Sequence, residues 1–180
     1  MKILKRILIA IAGIVALLLI VALFVKSEYA VERETTVNKP KQVVFDYVKM
    51  IKNQNNYSVW NMKDPNSKMN FTGTDGTVGF ISSWESEMRE VGKGEQEIKK
   101  ITEGSRIDME LRFKKPMEMT DNAYMSTEAI DSTHTKVKWG FFGKTAYPFN
   151  IMGLFMDMDK MLGPDLQKGL DNMKAIVEKK

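Results

Sequence analysis

Arg106-Ile107-Asp108-Met109-Glu110-Leu111-Arg112-Phe113 alternates a charged and an apolar side chain without a break. Successive residues of a strand point to opposite faces. Ile107, Met109, Leu111 and Phe113 therefore share one face, and Arg106, Asp108, Glu110 and Arg112 the other. That is the pattern of an antiparallel strand with a core on one side and water on the other. A slip of one residue would bury all the charges, so the register is strongly specified. Pro116 closes the strand.

The period of two extends outward from Phe71 to Phe142. Val78, Phe80, Ser82 and Trp84 share one side of an earlier strand, entered through Gly73-Thr74-Asp75-Gly76. Gly94, Gln96 and Ile98 share one side of the next, after a turn near Arg89-Glu90. Ala123 to Ile130 forms a weaker strand, and Asp131-Ser132-Thr133-His134 turns the chain into Val137, Trp139 and Phe141, alternating with Lys136 and Lys138. Short strands separated by turns predict an antiparallel meander. Upstream, Tyr29 to Val37 reads as a strand. Asn38-Lys39-Pro40 starts a helix whose apolar face is Val44, Tyr47, Val48 and Ile51. Asn53, Asn55 and Asn56 end it, and a loop with Trp60 and Asp64-Pro65 follows. Downstream, Ile151, Leu154, Phe155 and Met158 lie on one helical face before Gly163-Pro164, with Pro164 read as a helix start. Leu166, Leu170, Met173 and Val177 continue the pattern. The apolar face of the sheet needs a cover, and the long C-terminal helix supplies it. The expected fold is α+β: a curved antiparallel sheet wrapped around that helix, with a concavity between them.

Ahead of this domain, Ile7 to Val25 is an uncharged run in which every residue but Gly13 is apolar. As a helix it would reach about 29 Å, the thickness of a bilayer's hydrocarbon core. Lys2, Lys5 and Arg6 precede it, which predicts a single-pass membrane protein with a cytoplasmic N-terminus and an extracytoplasmic C-terminal domain. A cleavable signal peptide fits less well. The run exceeds the usual h-region of roughly 7–15 residues, and Phe24-Val25-Lys26-Ser27-Glu28 offers no small-x-small cleavage site. The expected organisation is a basic tail (1–6), a membrane helix (7–25), a tether (26–28) and one domain (29–180).

The formal net charge is +4, and Lys2, Lys5 and Arg6 account for three of those charges, leaving +1 for everything after them. With acids and bases interspersed there is no basic face, so no nucleic-acid partner is expected. The absence of cysteine excludes disulfides, thiolate metal sites and a Cys nucleophile.

Together these features resemble the SRPBCC superfamily, the helix-grip (START-like) fold of START lipid-binding domains, polyketide cyclases and pollen-allergen-like proteins. Within it the chain is similar to membrane-anchored bacterial proteins labelled polyketide cyclase-like. The resemblance rests on Glu32-Arg33, Pro40 with Val44-Phe45, Trp60, Asp64-Pro65, Gly73, Gly76, Gly79 and Trp84. It continues through Gly92-Lys93-Gly94-Glu95-Gln96, Arg106-Ile107-Asp108, Phe113, Pro116, Thr135-Lys136-Val137, Trp139, Gly169-Leu170 and Lys174. It spans roughly residues 29–180 and implies a cavity for a hydrophobic ligand. One departure stands out. Where the family pattern carries a second tryptophan soon after the first, this chain has Trp60-Asn61-Met62-Lys63, and Met62 is the expected substitute.

The chemistry-bearing residues are sparse. His134 is the sole histidine and sits in a polar turn beside Asp131, so no catalytic and no metal role is assigned. There is no Gly-x-Ser-x-Gly elbow and no Walker loop. Glu95 and Glu97 fall on the face opposite Gln96 and Ile98, which points both acids to water. The parity sends the Gln96 amide inward, where it needs a hydrogen-bonding partner. The candidate cavity is Phe80, Trp84, Gln96, Met109, Phe113, Trp139, Phe141 and Phe155, with Met69, Met152, Met156 and Met158 as further lining or caps. Fourteen methionines make such an interior adaptable. Aromatic and Met walls suit a lipid-like or polycyclic molecule and supply little to catalyse with. The expected function is a membrane-anchored domain that binds a hydrophobic or lipid-like small molecule, with no cofactor. The alternatives are a polyketide cyclase or aromatase-type enzyme, or a ligand-free protein-interaction domain.

Overall fold

A computed structural model describes residues 2–179. Helix α1 (Lys2–Ala22) is followed by β1 (Glu28–Val37), α2 (Lys41–Lys49), a 3-10 turn (Ile51–Asn56) and α3 (Val59–Lys63). Strands β2 (Lys68–Thr72), β3 (Ile81–Glu85), β4 (Lys93–Thr102), β5 (Arg106–Lys115), β6 (Met119–Ala129) and β7 (Thr135–Lys144) come next. A second 3-10 turn (Phe149–Leu154) leads into α4 (Met158–Lys179).

The seven strands form one antiparallel sheet in the order β1-β7-β6-β5-β4-β3-β2. Glu28 pairs with Lys144, Asn122 with Phe142, Phe113 with Met119, Lys93 with Lys115, and Lys68 and Lys93 each with Glu85. All these residues therefore lie at one end of the sheet, the end from which α1 departs. The parity of the β5 sequence holds. Ile107 and Met109 are buried and Leu111 and Phe113 half-buried facing α4, while Arg112 on the outer face reaches Glu95 and Glu97 at 2.7 Å each and also Glu110. Hydrogen bonds from Lys114 and Arg112 hold the Glu95 carboxyl below its ordinary range, and Arg112 does the same for Glu97.

Several boundaries differ from the sequence reading. Val78 is exposed on a loop, because β3 begins only at Ile81, after Gly79 has turned the chain at φ 87°. Helix α4 runs through Pro164 instead of starting there. Its first turn is capped by Asp157, whose carboxylate accepts the amides of Asp159 and Lys160, and is pinned to β1 by Arg33, which grips Asp159 at 2.7 and 2.8 Å. Those bonds offset the backbone hydrogen bond that a proline removes. Ile151, Leu154 and Phe155 consequently do not extend the apolar face of α4. They belong to the separate 3-10 turn and its exit.

Helix α1 is long and apolar enough to cross a bilayer, and none of its membrane-length window is buried inside the protein. It ends three residues before the expected Val25. Leu23 and Phe24 form a turn, and the Asn150 side-chain amide donates to the carbonyls of Ala22 and Val25 at 2.7 and 2.8 Å. The helix end is thereby tied to the second 3-10 turn.

Candidate functional site

Between the sheet and the N-terminal half of α4 lies a cavity of about 210 Å³. Trp84, Phe113, Trp139, Phe141, Leu111 and Met69 give it apolar walls, and Leu162 and Leu166 of α4 form its roof. Small residues make the space. A Cβ on Gly94 would stand 2.5 Å from the Trp84 indole, and one on Gly169 would stand 2.7 Å from that of Trp139, so each ring packs against bare backbone. The Trp84 indole N–H donates to the Val91 carbonyl at 3.1 Å, and Trp60 meets Trp139 edge-on at 6.0 Å. Asp64 accepts the Asn66 amide and the Ser86 hydroxyl, tying the loop after α3 to the β3–β4 hairpin beside the cavity.

Four polar groups of the lining, those of Gln54, Ser58, Ser82 and Gln96, converge at one place. Gln54 and Gln96 both aim their amide Nε2 at the Met109 sulfur, at 3.9 and 2.8 Å. A thioether is a weak acceptor, and among the described residues neither amide group donates to anything stronger. Ser82 is paired with Gln96 across the strands, and Ser58 lies one turn beyond Gln54; both are buried and line the cavity. The arrangement offers donors and acceptors at one place in a mostly apolar wall, with Asn61 and Ser67 as further polar lining. Glu90, exposed at the rim, is the ionisable residue among those lining it.

Of the residues predicted for the cavity, Trp84, Gln96, Phe113, Trp139 and Phe141 line it. Phe80 and Met109 do not. Phe80 is buried behind the wall, stacked on Phe71 at 6.2 Å, and Met109 is core packing that shows the two amides its sulfur. Phe155 is a correction: it is 83% exposed, because the chain breaks into a 3-10 turn before α4 and carries the ring outward. Met69 lines the cavity, whereas Met152 and Met156 are exposed on that same segment and Met158 packs against the core. Met62 is exposed and does not replace a second tryptophan ring. Gln54, Ser58 and Ser82 were not singled out by the sequence reading. Gln54 and Ser58 continue the three- and four-residue spacing of Val44, Tyr47, Val48 and Ile51, which would have pointed to them.

Beyond Phe141, whose ring stacks on the half-buried Tyr29 at 6.3 Å, lies the buried Asp121. Tyr29 and Asp121 face each other across Gly143, where any Cβ would strike both the carboxylate and the hydroxyl. Burial pushes the Asp121 carboxyl above its ordinary range, and burial and the neighbouring Asp121 push the Tyr29 hydroxyl up. His134, by contrast, is held in its turn by Asp131, with Nδ1 2.8 Å from the carboxylate. Among the described residues no cluster of His, Asp and Glu could hold a metal ion.

No family model and no curated protein matches the sequence. Solved structures match it well. Norcoclaurine synthase from Thalictrum flavum has a TM-score of 0.60 at 11% identity, covering 85% of this chain and 96% of that one. The Zhui aromatase/cyclase from a Streptomyces species gives 0.60 at 11% identity, covering 84% and 94%. Ara h 8.0201 gives 0.54 at 14% identity, covering 85% and 99%. At such identities the likeness speaks for the fold alone, and with the seven-stranded sheet closed on α4 it shows that this chain has the helix-grip fold.

Proposed function

We propose that the domain binds a compact, largely apolar small molecule bearing one polar group, and that α1 holds it at a membrane. The observation that carries this reading is the pair of cavity amides, Gln54 and Gln96, which share only the Met109 thioether. Polar groups withdrawn from water need a partner, and a ligand's carbonyl or hydroxyl would serve both amides better than sulfur does. At about 210 Å³ the cavity is smaller than the ~300–1,000 Å³ of common ligand sites, which narrows the polycyclic expectation to a molecule of one or two rings or a short chain. A cavity of this size also speaks against a filled core serving only protein contacts.

The test is native mass spectrometry of the full chain released from detergent, compared with Gln96→Leu and Gln54→Leu. Each substitution roughly keeps volume and removes a donor, and should weaken ligand retention by about 1–3 kcal/mol. Equal retention in folded variants would sink the reading. The basic residues Lys2, Lys5 and Arg6 at the N-terminal end of α1 support a cytoplasmic N-terminus with the domain on the other side. A C-terminal alkaline phosphatase fusion should be active and a C-terminal fluorescent fusion dark; the reverse would invert the topology. A cyclase-type enzyme is the second reading, favoured by one observation: Asp121 and the Tyr29 hydroxyl are buried just beyond Phe141, and one Asp121 oxygen has no partner among the described residues.

A further inference from the structure

The strand registers put the cavity and the root of α1 at the same end of the molecule. Lys144 beside Glu28, Met119 beside Phe113 and Lys115 beside Lys93 line up along one rim of the sheet. The cavity residues Phe141, Phe113, Gly94's neighbour Trp84 and Met69 sit one to three positions inside that rim. Chain segments at this rim project large apolar side chains into solvent. Met88 caps the β3–β4 hairpin, Met117 the β5–β6 hairpin, and Phe149, Leu154 and Phe155 stand on the second 3-10 turn, each between 40% and 83% exposed. The opposite rim differs: its turns are Thr102-Glu103-Gly104-Ser105 and Asp131-Ser132-Thr133-His134, and its exposed apolar residues, Val43, Met50, Val78 and Ile130, include no aromatic ring.

This apolar rim continues directly from α1. Asn150 holds the 3-10 turn to the last carbonyls of the helix, and the Tyr147 hydroxyl donates to the Leu19 carbonyl at 3.3 Å, one turn further back. A tyrosine at that depth suits the zone between acyl chains and water. From β1 the β5–β6 hairpin lies two to three strand spacings away, about 10–14 Å, so a surface meeting the end of α1 also reaches Met117. Large apolar side chains gathered in solvent along one rim are a mark of an interaction surface.

We infer that the rim carrying Met88, Met117, Phe149, Leu154 and Phe155 rests in the lipid surface that α1 spans, so that the cavity opens toward the bilayer and exchanges its ligand with the membrane directly. The inference rests on α1 being a membrane helix. Lysines and acids are mixed along the rim, Lys26, Lys115 and Lys144 against Glu28, Glu87 and Glu118. Apolar contact therefore provides the attraction, and uncharged lipid suffices.

The chain has no cysteine, so single-cysteine labelling of the full protein is clean. Met88→Cys, Met117→Cys and Phe155→Cys report the rim, Ile130→Cys the opposite rim and Ile14→Cys the helix. Each variant carries an environment-sensitive fluorophore and is reconstituted in phosphatidylcholine vesicles with or without doxyl-labelled lipid; an unchanged thermal unfolding curve shows each is folded. Ile14, Met88, Met117 and Phe155 labels should lose most of their emission to the lipid-borne quencher, and the Ile130 label should not. If the Ile14 label is quenched while Met88 and Met117 behave like Ile130, the helix is in the membrane and the docked rim is refuted. If the Ile14 label is not quenched, the membrane helix and the docked rim fall together.

Discussion

The two halves of the sheet are built from the same alternating strands, yet one is solid and the other hollow. In the half away from α1, Val37, Ile98, Ile107, Met125 and Val137 belong to one buried core with Val44 and Val48 of α2 and Leu170, Met173 and Val177 of α4, and all are almost fully buried. In the half near α1 the inward positions set rings beside very small residues, Trp84 beside Gly94 and Phe141 beside Ala123, and the small Ser82 beside Gln96. Aliphatic side chains of similar size interlock and fill space. Large rings set against residues with little or no side chain stand as walls and leave volume between them. The cavity is thus a matter of side-chain choice on one continuous sheet, and the solid half is what fixes the sheet for the hollow half to use.

The largest expected contrast is in truncation. Met125→Ala or Leu170→Ala, in the solid half, should cost about 2–5 kcal/mol. Phe113→Ala should cost less than is usual for a packed Phe, because its ring already borders open space. Thermal and denaturant unfolding of the full chain in detergent would check this, and equal losses in the two halves would break the comparison. Next in size, Ala123→Leu grows a side chain into the cavity. It should leave stability unchanged or raise it by about 0.5–2 kcal/mol, while abolishing ligand retention by native mass spectrometry. A destabilised variant would mean the space is less open than described.

The buried Asp121 gives a pH-dependent test at the border of the hollow half. Its folded pKa lies above the unfolded value of about 3.9, so the native state holds its proton more tightly. The resulting stability is complete below pH 4 and is lost as pH rises through the folded pKa. Asp121→Asn should remove that loss, and the difference in melting temperature between variant and parent should grow in the variant's favour from acid to neutral pH. A flat difference would show that folding does not shift the carboxyl, and one of opposite slope that the fold stabilises it as an anion. The smallest effect belongs to Phe155→Ser, which should change stability by no more than about 0.5 kcal/mol; a larger loss would put that ring back among the packed residues.

The inward and outward sets of β5, β7 and β4 were legible because a strand's period is fixed by covalent geometry, and charges on alternate positions leave one register. The C-terminal face Leu166, Leu170, Met173 and Val177 was legible for the same reason. Phe155 was not. Its spacing from Ile151 and Leu154 fits a helix, and nothing in the pattern announces that the chain there is a 3-10 turn governed by Asn150 and the end of α1. Phe80 was placed on the correct face, but parity cannot tell a residue that borders a void from one that lies behind the wall.

By itself, then, the sequence settled the alternation of the strands, the apolar stripe of the covering helix and the long apolar segment before them, since each depends on neighbours a few positions away. Tertiary structure decided which inward residues face open space, that Gln54 and Gln96 meet at one sulfur, that Gly143 brings Tyr29 and Asp121 together, and that the cavity shares its end of the sheet with α1. Those facts depend on which strands lie side by side and how far α4 stands above them, distances set by packing between residues tens of positions apart.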